Sequence, residues 1–128
     1  MRFPISFNRS MRLVLAPMSL GQRRSYVDVD QHHVTVRMGW AFRATVPGDN
    51  VAGATESART TISIGVHGWR GRWLVNGSGK RLVDIDIDPV CRGWVMGVPV
   101  RLRRITVSAV DPAGLVRAIG DRSTIPPK

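Results

Sequence analysis

"YVDVDQHHVTVRMGWAFRATVPGDN", Tyr26 to Asn50, decides the fold. Its apolar residues recur at every second position. Val27 and Val29 take one parity against Asp28 and Asp30. Val34, Val36 and Met38 then oppose Thr35 and Arg37, and Phe42, Ala44 and Val46 oppose Arg43 and Thr45. Successive side chains on a strand point to opposite faces, so this period marks antiparallel strands with one buried and one wet face. Gly39-Trp40, between the second and third segments, suits a tight type II′ hairpin turn with glycine in first place. Pro47-Gly48-Asp49-Asn50 stops the third, as its turn chemistry should.

The same alternation continues in "ISIGV" (62–66), "RWLVN" (72–76), "RLVDIDID" (81–88) and "VRLRRITVSAV" (100–110). The last of these slips parity. Val100 and Leu102 are apolar at even positions, whereas Ile105, Val107 and Ala109 are apolar at odd ones. A straight strand cannot bury both sets, so a β-bulge is expected near Arg103-Arg104. "GATESARTT" (53–61) is a polar stretch that separates the third segment from "ISIGV" and is not counted among the strands.

One segment has a helical signature. In "DPAGLVRAIG" Asp111 stands at the N-cap, Pro112 at the first helical position and Gly120 at the C-cap. Leu115, Val116 and Ile119 share one side and would fold back over the final strand. The fold class is therefore mainly β: a small antiparallel barrel or strongly bent sheet of about seven strands, capped by one C-terminal α-helix. Residues 1–10 are expected as a flexible leader, 11–120 as a single domain and 121–128 as a disordered tail. "LVLAPMSL" (13–20) is too short and too broken by Pro17 for a signal peptide, and reads as a first strand. Met11 is a second candidate start.

A chain of 128 residues supports one core. Its single cysteine, Cys91, excludes an internal disulfide, and no apolar run reaches the roughly 18 residues of a membrane span. A cytoplasmic protein is expected, free or peripheral at the inner face of the membrane. Nineteen Lys+Arg stand against nine Asp+Glu, a formal charge of +10, and only Lys80 and Lys128 are lysines. Such a surface attracts phosphates, anionic headgroups or acidic partners.

The Val27–Val51 stretch resembles the strand and proline-turn core of bacterial pleckstrin-homology-like domains. "LRRITVSAVDPAGLVRAI" (102–119) resembles their closing strand and capping helix. With "GRWLVNGSGKRLVDIDIDP" (71–89), the pattern from Arg24 to Gly120 is similar to actinobacterial proteins of that build. The resemblance implies a fold that mostly binds lipids, peptides or other copies of itself. The basic cluster by which some relatives hold inositol phosphates is not matched.

Three motifs invite chemistry and fail on spacing. "GSGK" (77–80) lacks the leading glycine of a phosphate loop, where Leu74 stands, and is followed by Arg81 and a strand pattern rather than Ser/Thr and a helix. Asn76-Gly77-Ser78-Gly79 reads as a hairpin loop. Asp84, Asp86 and Asp88 begin like a calcium loop, but Pro89 and Val95 occupy the positions of its glycine and glutamate. They read as a solvated strand face facing arginines, with Arg101 and Arg103 as candidates. His32, His33, His67 and Cys91 have no zinc spacing. No residue takes a catalytic role, and no metal or cofactor is implied.

Four of the eight aromatic residues are tryptophans. Trp73 alternates with Val75 and reads as core, whereas Trp40 and Trp69 lie at turns among arginines. The candidate binding surface is therefore Trp40 and Arg43 with Trp69, Arg70, Arg72, Lys80 and Arg81. The expected role is a non-catalytic binding or interaction module for an anionic ligand, a membrane surface or a protein partner, including a second copy of the chain. A nucleic-acid binder is the alternative and a small enzyme the third reading. No basic recognition helix accompanies the charge, which weighs against nucleic acid.

Overall fold

The computed structural model describes residues 1–5, 25–39, 41–57, 65–69, 71–76 and 81–121. Among the described residues nine strands form one sheet: β1 (Arg2–Pro4), β2 (Ser25–Val29), β3 (His33–Met38), β4 (Phe42–Pro47), β5 (Val51–Glu56), β6 (Gly65–Trp69), β7 (Arg72–Asn76), β8 (Leu82–Val95) and β9 (Val98–Ser108). The order is β1-β2-β3-β4-β8-β9-β7-β6, and β5 pairs separately with β8. Among the described residues one α-helix, α1 (Pro112–Gly120), follows. The sheet curls into an open half-barrel. Ile5 forms a bridge with Ala109 where one edge curls back toward the final strand.

Period two is realised as expected in β2, β3 and β4, whose inner residues Val27, Val29, Val34, Val36, Met38, Phe42, Ala44 and Val46 are all buried. The Met38 carbonyl accepts from the Ala41 amide at 3.0 Å, with Gly39 in first place at φ +53°. Ala41 is buried as an extra residue, so pairing resumes only at Phe42. A 3-10 turn at Gly48–Asn50 then redirects the chain into β5, and the Asn50 side-chain Nδ2–H donates to the Pro89 carbonyl at 2.9 Å.

The parity slip is resolved where the sequence places it. The amides of Arg103 and Arg104 both donate to the Gly71 carbonyl, at 2.7 and 3.2 Å, so Leu102 and Ile105 are both buried. On the other side of β9 the residues between Asp86 and Cys91 stand opposite Arg103 alone. One bulged region thus bends both strands.

Four expectations need correction. Residues 1–5 are not a loose leader: Arg2–Pro4 pairs with β2, and Phe3 and Ile5 enter the core. Val51–Glu56 is a strand; only Val51 is deeply buried, so backbone pairing to β8 forms it without an apolar stripe. Asn76–Gly79 does not join paired neighbours, because β9 lies between β7 and β8 and runs parallel to β7. The 77–80 segment itself lies outside the described residues. Finally, β8 does not stop at Asp88. It runs through Pro89 to Val95 and forms a hairpin with β9 over Met96-Gly97.

The helix begins as read, with the Asp111 side chain accepting from the Gly114 amide at 3.1 Å. Its buried face is Leu115, Ala118 and Ile119, while Val116 is only partly covered, and Asp121 rather than Gly120 is the C-cap. It packs against β5 and β8. The expected opening strand at 13–20 and the tail from 122 lie outside the described residues.

Candidate anion-binding cleft

Strand register aligns one row of outward side chains across the sheet. Pro4 pairs with Tyr26, Tyr26 with Arg37, Arg37 with Arg43, Arg43 with Trp94 and Trp94 with Pro99. Their neighbours along each strand point inward, so burial of Val36, Met38, Phe42 and Ala44 forces Arg37 and Arg43 outward. Arg37, Gly39, Arg43, Trp94 and Gly97 line a cleft of about 260 Å³.

The guanidinium of Arg43 lies 6.0 Å from the Trp94 ring centroid, within cation–π range. The Nε–H of Arg37 donates to the Gly39 carbonyl at 3.3 Å, which turns its side chain toward the hairpin end. Among the described residues, no carboxylate lies within 4 Å of Arg37, Arg43, Arg92 or Arg101. That contrasts with Arg2, 3.7 Å from Asp28, and Arg104, 2.6 Å from Asp86. The cleft therefore offers two outward cations and one aromatic face.

A second depression of about 610 Å³ lies along the same hairpin, lined by Val90, Cys91, Arg92, Pro99, Val100 and Arg101. Burial raises the Cys91 thiol pKa above its ordinary value, which keeps it protonated and poorly nucleophilic.

The sequence-derived surface is only partly assembled. Arg43 stands in the cleft. Arg72 is exposed but pairs with Arg104, on the far side of the bulge. Arg81 precedes Leu82 at the opposite end of β8 from Trp94, and its guanidinium reaches the Val110 carbonyl at 3.5 Å. Arg43, Arg72 and Arg81 thus do not converge. Trp40, Arg70 and Lys80 lie outside the described residues, and Trp69 is placed only by its backbone at the end of β6. Trp73 packs against the core, its Nε1–H donating to the Arg101 carbonyl at 3.2 Å.

Arg37 and Trp94 were missed as site members. The signal for Arg37 was available, since it shares the parity of Arg43 across the Gly39 turn. Trp94 was hidden because Pro89 and Pro99 flank it and break the strand pattern.

The aspartates do not gather. Asp86 pairs with Arg104, and Asp84 accepts from the Thr106 hydroxyl. The arginine is neither Arg101 nor Arg103, because the bulge rotates Arg104 into register. The hydrogen bond to Asp86 leads in raising the Arg104 pKa, with the charges of Asp86 and Asp84 adding to it. The Asp30 carboxylate accepts the His32 and His33 amides, each at 2.8 Å, and so ties the β2–β3 turn. Among the described residues no three His, Cys, Asp or Glu side chains are grouped to hold a metal ion. Among them, too, no helix is long and apolar enough to cross a membrane. Comparison with family models, with curated proteins and with solved structures found no match.

Proposed function

We propose that this chain is a non-catalytic binding module that takes a phosphate-type anion in the cleft between Arg37, Arg43 and Trp94. The observation that carries the reading is the pair of arginines held side by side in register, with no carboxylate within 4 Å among the described residues. Two adjacent like charges on neighbouring strands repel one another. A bound anion relieves that repulsion and accepts their fork of donors. At about 260 Å³ the cleft is small beside ordinary ligand pockets of about 300–1,000 Å³. It suits a headgroup-sized anion better than a large cofactor. The pleckstrin-homology-like assignment and a cytoplasmic location belong to the same proposal.

Calorimetric titration with inorganic pyrophosphate tests it. The wild-type chain should bind with an affinity that falls as salt is raised. Replacing both arginines (R37Q/R43Q) should weaken binding at least about tenfold, the scale of two charge-assisted hydrogen bonds. Unchanged affinity in that variant would refute the reading.

A further inference from the structure

The turn joining β8 to β9 has the backbone of a two-residue type I′ hairpin: Met96 lies at φ +49° and Gly97 at φ +82°. The first position of such a turn favours Asn, Asp or Gly, whose side chains tolerate the left-handed region. Methionine gains nothing there from the backbone. Nor is it buried, since Met96 is 60% exposed. Val98, the first residue of β9, is also 60% exposed. The hairpin thus ends in apolar side chains that the fold does not use.

Behind this tip the side chains change character in rows. Trp94 and Pro99 form the first row, with Arg43 paired to Trp94 and Arg37 to Arg43. Arg92 and Arg101 form the next row on the hairpin. The Met96 amide donates to the Ala41 carbonyl at 3.0 Å, so the β3–β4 turn is tied beside the tip. Each row lies two residues, about 7 Å, behind the one before.

We infer that the β8–β9 hairpin is a membrane wedge: Met96 and Val98 enter the interface of an anionic bilayer while Arg37, Arg43, Arg92 and Arg101 meet its phosphates. The inference rests on the anion-binding reading of the cleft and identifies the anion as a lipid headgroup. Interfacial segments sink about 5–10 Å, which matches the one spacing of about 7 Å between the apolar tip and the row that holds Trp94, Arg43 and Arg37, with Arg92 and Arg101 one row further back. Tryptophan is suited to that boundary, having an apolar body and one polar N–H. Four arginines supply the attraction to an anionic leaflet. A protein partner fits less well, because a stable interface needs about 800 Å² per side and the tip is a convex point of a few residues.

Sedimentation with vesicles of 30% phosphatidylglycerol in phosphatidylcholine, and with phosphatidylcholine alone, tests the wedge. Met96→Asn is a favourable probe, since Asn-Gly is a preferred type I′ pair and the variant should melt no lower than wild type. The wild-type chain should partition onto the anionic vesicles and scarcely onto the neutral ones. Met96→Asn combined with Val98→Thr should lower that partition about tenfold, the scale of removing two apolar side chains from an interface. Both proteins should bind pyrophosphate equally. Equal partition of variant and wild type would overturn the wedge. So would retention of duplex DNA without vesicle binding. If pyrophosphate still binds in either case, the cleft reading stands and only the bilayer assignment falls. Loss of pyrophosphate binding in wild type itself would remove both.

Discussion

Replacing Leu115 with alanine isolates the contribution of the capping helix. Leu115 is fully buried and belongs to the same core cluster as Ile85, Ile105 and Val107. Truncating a leucine at such a site costs about 2–5 kcal/mol, spread according to how far the surroundings collapse. A domain of this length holds only about 5–15 kcal/mol in total. At roughly 4 °C per kcal/mol for a chain of intermediate size, melting should fall by about 8–20 °C. Val116→Ala is the internal control. Val116 is only partly covered, so its truncation should cost about 1 kcal/mol or less. Asp111→Ala should cost about 1 kcal/mol through loss of the bond to the Gly114 amide. The assay is urea unfolding followed by far-ultraviolet circular dichroism. If Leu115→Ala shifts the midpoint no more than Val116→Ala does, the helix is an appendage rather than part of the core.

Other expectations follow from single contacts. Asp86→Asn breaks a pair whose partners are each more than a third exposed, so it should cost at most about 1 kcal/mol; calcium should not raise the melting temperature of either protein, and a calcium-dependent rise lost in the variant would contradict the ion-pair reading. Gly93→Ala would place a Cβ 2.7 Å from Leu102 Cδ1, a buried core side chain, so overpacking should cost about 1–3 kcal/mol, and an unchanged urea midpoint would show that Leu102 yields freely. For Cys91, burial disfavours the thiolate and raises the folded pKa. Iodoacetamide should therefore react more slowly at pH 8 with the folded chain than with the urea-unfolded one, and the gap should close as pH rises through the folded pKa. Equal rates at pH 8 would contradict the burial.

Local pattern carried the parts of the fold that local physics determines. Alternation in β2–β4, the bulge at Arg103-Arg104 and the Asp111 cap all follow from side-chain parity or from one hydrogen bond. The remainder depends on partners remote in sequence. Phe3 and Ile5 flank Pro4 in a segment too short to show a period, yet β2 and Ala109 recruit them. In β5, Thr55 and Glu56 present no apolar stripe because the strand is held by backbone bonds to β8. Placement of β9 between β7 and β8 cannot be read from a short polar connection, because adjacency in sequence predicts adjacency in the sheet only as a tendency. The candidate site divides in the same way. Arg43 is legible from its place beside a turn; Arg72 and Arg81 also stand beside glycine-containing turns, but strand order separates those turns from the Gly39 one.

Residue-resolved mapping of anion binding is the most direct test of the cleft. In the nitrogen-15 labelled chain, pyrophosphate should move the Trp94 indole N–H and the Arg37 and Arg43 Nε–H resonances together, with one shared Kd that weakens as salt is added. The Nε–H of Arg72 and Arg81 should move less and without saturation. If instead those two move most, or all arginines drift in parallel without saturating, +10 of diffuse charge rather than a built cleft accounts for the binding.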